Sequence, residues 1–139
     1  MDIFNDETVF LIVGAGNNTE KYGSKVFLDL KNVGYNVVAI NNHEAEVHGT
    51  PAYPSVSRFL ERTEELFDER RRREALAKIV VVLVIPPAAG AKVVGEAHLH
   101  GIRRVWFQPG AESDEAIAFC KAHGIDETHG ACVMKERPT

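Results

Sequence analysis

Thr8-Val9-Phe10-Leu11-Ile12-Val13-Gly14-Ala15-Gly16-Asn17-Asn18 reads as an uncharged, β-branched and aromatic run that halts at a glycine-rich turn. A strand without polar alternation is buried on both faces, the habit of parallel sheets covered by helices. Beyond the turn, Val26, Phe27, Leu30 and Val33 recur at helical spacing. They predict a helix over 22–33, with Gly34 as its stop. Asn36–Ile40 follows as a second strand, ended by Asn41-Asn42. Strand, helix, strand is a βαβ unit, and the alternation continues along the chain.

Working outward, Gly49-Thr50-Pro51-Ala52-Tyr53-Pro54 is extended or turn-like, because each proline biases its predecessor away from helix. Residues 55–78 form a charged helix with a partial apolar stripe from Val56, Phe59, Leu60, Leu66 and Phe67. Its Arg70-Arg71-Arg72-Arg73 run invites phosphate, but Glu61, Glu64, Glu65, Asp68, Glu69 and Glu74 nearly cancel it. A solvated helix laced with i,i+4 pairs is the plainer expectation. Residues 79–85 are the most strand-like run, ended by Pro86-Pro87 and followed by a small-residue helix over 88–100. Arg104–Phe107 is another strand, and Ser113 caps a helix that carries Ala116, Ile117 and Cys120 and stops at Gly124. A last short strand or loop falls around 130–134. One doubly wound, Rossmann-like α/β domain over 1–139, its mostly parallel sheet flanked by helices, accounts for the whole pattern.

The bulk properties narrow the function. The 139 residues suffice for one core without staples, and 45% hydrophobic with 26% charged is an ordinary globular balance. A net charge of −4 and a pI near 5.9 offer no basic field for nucleic acid or an anionic membrane. The apolar run 79–89 contains two prolines and falls short of the roughly 20 residues that a membrane helix needs. The acidic start Met1-Asp2-Ile3-Phe4-Asn5-Asp6-Glu7 lacks the apolar region of a signal peptide. With Cys120 and Cys132 as its cysteines, the chain is expected in a reducing cytoplasm. No Cys or His pair has zinc-finger spacing, and His98 and His100 should point apart into solvent.

In an open parallel sheet, ligands bind beyond the carboxyl ends of the strands. The first such end is Gly14-Ala15-Gly16-Asn17, where glycines admit a close anion and the next helix offers free amides. Lys21, Ser24 and Lys25 stand near that helix start. A dinucleotide fingerprint wants a third glycine at Thr19 and an acid at the second strand's tip, which is Asn41-Asn42-His43. A P-loop is excluded, since no Gly-Lys-Ser/Thr follows the strand. The remaining tips, Ile85-Pro86-Pro87 and Gln108-Pro109-Gly110-Ala111, suit a flat ring or a pyrophosphate but offer no proton-transfer group. His129 lies near Cys132 in sequence, and the structural reading of that cysteine is preferred over a catalytic pair.

These residues resemble the CoA-binding domain proteins, stand-alone relatives of the CoA-binding domain of the succinyl-CoA synthetase alpha subunit. The likeness is carried by Val13-Gly14-Ala15-Gly16, by Lys21-Tyr22-Gly23-Ser24-Lys25 through Gly34-Tyr35, and by Val38-Ala39-Ile40-Asn41. It continues through Gly49 with Ala52-Tyr53-Pro54-Ser55-Val56, Val84-Ile85-Pro86-Pro87, Val105-Trp106-Phe107-Gln108-Pro109-Gly110-Ala111 and Cys132. The resemblance implies a Rossmann-like fold with coenzyme A, or an acyl-CoA, lying across the strand tips. Gly14, Ala15, Gly16 and Asn17 would hold phosphates, with Lys21, Tyr22 and Ser24 close by. Asn41, Asn42 and His43 would meet the ribose or 3′-phosphate side, Ile85, Pro86 and Pro87 would flank the adenine, and Pro109, Gly110 and Ala111 would line the cleft.

Two departures stand out. The family usually reads Asn-Pro-Lys where this chain has Asn41-Asn42-His43, so a cation gives way to a mostly neutral histidine. The segment before Ile79 is also longer and more charged than usual. The resemblance brings no activity, so binding without catalysis, as a sensor, carrier or regulatory module, is the expectation. An NAD(P)-binding redox sensor or oxidoreductase and a ligand-free interaction subunit stay open beside it. Should the pantetheine thiol reach Cys132, thiol exchange with the cofactor becomes possible chemistry.

Overall fold

The computed structural model of the chain describes residues 2–139. β1 (Val9–Val13) leads through α1 (Tyr22–Asn32) to β2 (Asn36–Ile40). A hairpin of β3 (Glu46–Val47) and β4 (Thr50–Tyr53) precedes α2 (Val56–Leu66) and α3 (Glu69–Ala77). Then come β5 (Ile79–Leu83), α4 (Gly90–Leu99), β6 (Arg104–Phe107), α5 (Asp114–Ala122), β7 (Asp126–Thr128) and α6 (Val133–Glu136). The strands form one seven-stranded sheet in the order β3-β4-β2-β1-β5-β6-β7, parallel except for β3.

The alternation of side chains along β1 builds two cores. Leu11 and Val13 face a layer made by α2, α3, α4 and α5, through Leu60, Leu76, Val94 and Cys120. Phe10 and Ile12 face α1 and α6, through Val26, Phe27, Leu30 and Val133. β5 is buried at every position, as a central parallel strand should be. β1 is flanked by β2 on one side and β5 on the other, so the winding direction reverses beside its carboxyl end. That reversal is where open α/β sheets leave a crevice.

One local reading is sharpened and four are corrected. The proline-bearing segment 49–54 contributes a strand, because β4 pairs with β2 at Ala39–Ala52 and Ile40–Tyr53 while Pro51 stands exposed. His48 and Gly49, with φ of 47° and 79°, make the two-residue turn of its hairpin. The single charged helix over 55–78 is two, since the Asp68 carboxylate accepts the Arg71 amide at 2.8 Å and starts α3. Among the described residues no ion pair forms within either helix; Glu64 reaches His100 instead, at 3.0 Å. The last strand precedes Gly130, and Cys132 begins a short helix. His98 and His100 are half-buried rather than solvated, with the His98 ring packed on His123 at 4.7 Å.

Candidate functional site

A cleft of about 760 Å³ opens at the carboxyl ends of β1, β5 and β6. Gly14 comes from β1, Val84, Ile85 and Pro86 from β5, and Gln108, Pro109, Gly110 and Ala111 from β6. Lys21, Tyr22 and Gly23, at the start of α1, form one wall. Cys132, Met134 and Lys135, from the C-terminal segment, form the other.

The α1 wall is set by backbone contact. Gly14 has φ of 98°, and a Cβ there would lie 2.2 Å from the Val84 carbonyl oxygen. At Gly23 a Cβ would lie 1.9 Å from the Gly14 carbonyl oxygen. Gly23 thus does what the third glycine of a dinucleotide loop does, letting helix and loop touch, but after a longer turn. Two of the four amides of the loop itself are engaged: Gly14 donates to the Ile40 carbonyl at 3.1 Å and Ala15 to Ile12 at 3.3 Å, while those of Gly16 and Asn17 find no acceptor among the described residues. Ala15 is fully buried. More free donors lie one step further on. Lys21 occupies the N-cap without a side-chain cap bond, and the amides of Tyr22, Gly23 and Ser24 find no acceptor among the described residues.

Several expected contact residues build the frame instead of lining the cleft. Asn17 donates from Nδ2 to the Glu46 carbonyl at 2.9 Å and accepts the His48 amide at 2.8 Å, fixing the hairpin to the first loop. Ser24 is 1% exposed, with its hydroxyl 2.6 Å from His48 Nε2. Asn41 donates to the Ala15 carbonyl at 2.8 Å, and its Oδ1 accepts the amides of His43 and Glu44. Gly16 lies beside Asn41, while Asn42 and His43 are exposed past the tip of β2 and Pro87 opens a 3₁₀ turn, all outside the lining. Gly14, Lys21, Tyr22, Ile85, Pro86, Pro109, Gly110, Ala111 and Cys132 are brought together in it.

Gly23, Val84, Gln108, Met134 and Lys135 were not among the expected contact residues, although Gly23, Val84 and Gln108 stand in the stretches that carry the family resemblance. A glycine in the first turn of a helix was the signal available for Gly23. For Gln108 it was a polar side chain directly after a buried run. Gln108 is 4% exposed; its Oε1 accepts the Val133 amide at 2.7 Å, and its Nε2 donates to Cys132 Sγ at 3.4 Å. His129 bonds Glu127 at 2.8 Å and does not line the cleft, so no Cys–His pair forms. Cys120, by contrast, is fully buried, and burial followed by the nearby Glu127 charge pushes its thiol up to about 11. Among the described residues no cluster of three His, Cys, Asp or Glu is placed to hold a metal ion.

The cleft therefore combines free amides and two lysines with an apolar lining and a half-buried thiol, a match for a long ligand with an anionic end. The sequence pattern of the CoA binding domain family matches residues 8–138. The chain belongs to this family. As a CoA binding domain protein it also has solved structural relatives. A conserved hypothetical protein from Pyrococcus furiosus is 34% identical with a TM-score of 0.76, covering 94% of this chain and 98% of its own. A hypothetical protein from Pyrococcus horikoshii OT3 is 28% identical with a TM-score of 0.75, covering 96% and 83% respectively. A protein from Thermus thermophilus, at 21% identity and a TM-score of 0.72 over 94% of this chain and 87% of its own, shares the fold. No curated protein gives a significant match. No helix among the described residues is long and apolar enough to cross a membrane.

Proposed function

We propose that this chain binds coenzyme A or an acyl-CoA in the cleft and catalyses no reaction of its own, acting as a sensor, carrier or regulatory module. The observation that carries the reading is the uncapped first turn of α1, opening beside Lys21 onto an apolar cleft. A pyrophosphate takes the amides of Tyr22 and Gly23 there, with Lys21 and Lys135 as counter-charges. The adenine lies against Ile85 and Pro86 with Pro87 at their edge, and the ribose side turns toward Asn41, Asn42 and His43. The arm passes Pro109, Gly110 and Ala111 toward Cys132. The ionisable members of the lining are Lys21, Tyr22, Cys132 and Lys135, and no two of them share the hydrogen bond that pairs a nucleophile with its base. That set supports binding rather than catalysis.

Thermal unfolding tests the reading. Coenzyme A at 100 times its dissociation constant stabilises by about 2.7 kcal/mol, a rise in Tm of roughly 5–12 °C for a chain of this size. No rise with millimolar coenzyme A overturns the proposal. A rise with NAD(H) alone favours the redox reading, and no response to any nucleotide favours an interaction subunit.

Cys132 adds a second chemistry to the same site. Its thiolate attacks one sulfur of CoA disulfide, forming a protein–CoA mixed disulfide and releasing the other half as CoA thiolate. Intact-mass measurement should show one CoA-sized adduct that reductant removes and Cys132→Ala abolishes. Absence of the adduct in excess CoA disulfide removes this step.

A further inference from the structure

α6 has four residues, too few for its own hydrogen bonds to hold it in place. Side chains from elsewhere fasten the segment. Trp106 Nε1 donates to the Ala131 carbonyl at 3.0 Å, and Gln108 Oε1 accepts the Val133 amide at 2.7 Å. Both bonds grip the early part of the segment. Met134 and Lys135, which line the cleft, come after them.

The next fastening is Arg137. Its Nε lies 2.8 Å from Asp29 Oδ2 and its Nη2 3.0 Å from Oδ1, a two-pronged contact. The two side chains are 18% and 26% exposed, so solvent and salt screen them less than an open surface pair. Asp29 belongs to α1, which packs on the same face of the sheet as α6 and whose first turn also lines the cleft. The ion pair therefore joins, outside the cleft, the two elements that line it, and Met134 and Lys135 hang between the Val133 and Arg137 anchors.

We propose that Asp29 and Arg137 are positioning residues: their ion pair ties the C-terminal wall of the cleft to the α1 wall and so sets ligand affinity without touching the ligand. The affinity part rests on the reading that the cleft takes coenzyme A; the positioning part does not. With the tie released, α6 loosens back to Cys132, whose carbonyl accepts the Lys135 and Glu136 amides; the ligand must remove that freedom on binding, and Lys135 no longer stands at a fixed place.

The test uses the full chain with Arg137→Met, Asp29→Asn, and the exchanged pair Asp29→Arg with Arg137→Asp. Coenzyme A affinity is measured by calorimetry. The alkylation rate of Cys132 by iodoacetamide is measured separately, in ligand-free protein. Thermal melts establish that each variant is folded, and Asp29→Asn, which keeps the size and shape of its side chain, guards against loss of the fold in the others. Each single variant should bind coenzyme A roughly tenfold more weakly, a size typical of coupling between separated sites. Each should also alkylate faster at Cys132, and the exchanged pair should recover much of both. Wild-type binding with unchanged affinity in both folded single variants overturns the inference. If the wild type itself does not bind, the functional reading fails, and the alkylation rates alone judge positioning: unchanged rates overturn it and faster rates uphold it.

Discussion

On the α1 side of the cleft, backbone presses on backbone: Gly23 meets the Gly14 carbonyl, and Gly14 in turn meets Val84. At the C-terminal wall a short helix hangs from the side chains of Trp106, Gln108 and Asp29. The first wall is continuous with the sheet and cannot shift without disturbing β1. The second can loosen while the sheet stays intact. A ligand site built this way has one rigid face, suited to the charge-bearing end of a ligand, and one adjustable face.

The sharpest way to break the comparison is Gly23→Ala. Alanine ordinarily gains about 1 kcal/mol over glycine inside a helix. Here its Cβ would fall 1.9 Å from a backbone oxygen that cannot move independently. The clash should win, with a net loss of about 3 kcal/mol or more in denaturant unfolding. A variant as stable as wild type would show that the rigid wall is not rigid.

The two cysteines sharpen the contrast next. Cys120 lies in the core, its thiol pushed from an ordinary 9.0 to about 11, while Cys132 lies half-buried on the adjustable wall. A raised thiol favours the protonated folded state, so its contribution is complete below about pH 9 and is lost as pH rises through about 11. A rise of that size corresponds to about 2 to 3 kcal/mol. Urea melts from about pH 8 to about pH 11 should therefore show a steeper fall in wild type than in Cys120→Ala. Equal slopes would remove the buried thiol from the account.

The smallest of the three effects is expected at Gln108→Leu. Leucine fills the space but leaves the buried Val133 amide without its acceptor, at a cost of about 2 kcal/mol. Cys132 should become easier to alkylate in the same variant. A stability loss without faster alkylation would mean that Gln108 supports the core rather than the wall.

Much of the fold was legible because its signals are local. β2 and β6 have the bounds that their β-branched and aromatic runs predict, and Ser113 caps α5 as read, accepting the Ala116 amide at 3.1 Å. The break at Asp68 was not legible, because an aspartate inside a charged helix looks like one more surface residue until its carboxylate turns onto the Arg71 amide. β4 was only half legible: the prolines marked 49–54 as extended or turn-like, and only pairing with β2 makes it a strand.

Of the expected contact residues, those at the ends of β5 and β6, Pro87 apart, line the cleft with Gly14 of β1, whereas Asn42 and His43 at the tip of β2 do not. Asn17, Ser24 and Asn41 do not, because short polar side chains beside a loop find partners in it first.

By itself, the sequence determined a doubly wound parallel sheet, the order of its βα units and the strand tips that border the cleft. Hydrophobic period, caps and glycine turns are properties of neighbouring residues, readable one segment at a time. The tertiary structure alone decided which amides stay free, which asparagines become struts, and that residues 131–137 return to close the cleft against α1. Those outcomes depend on pairs such as Asp29 and Arg137, far apart along the chain and brought within 2.8 Å only when the sheet has formed.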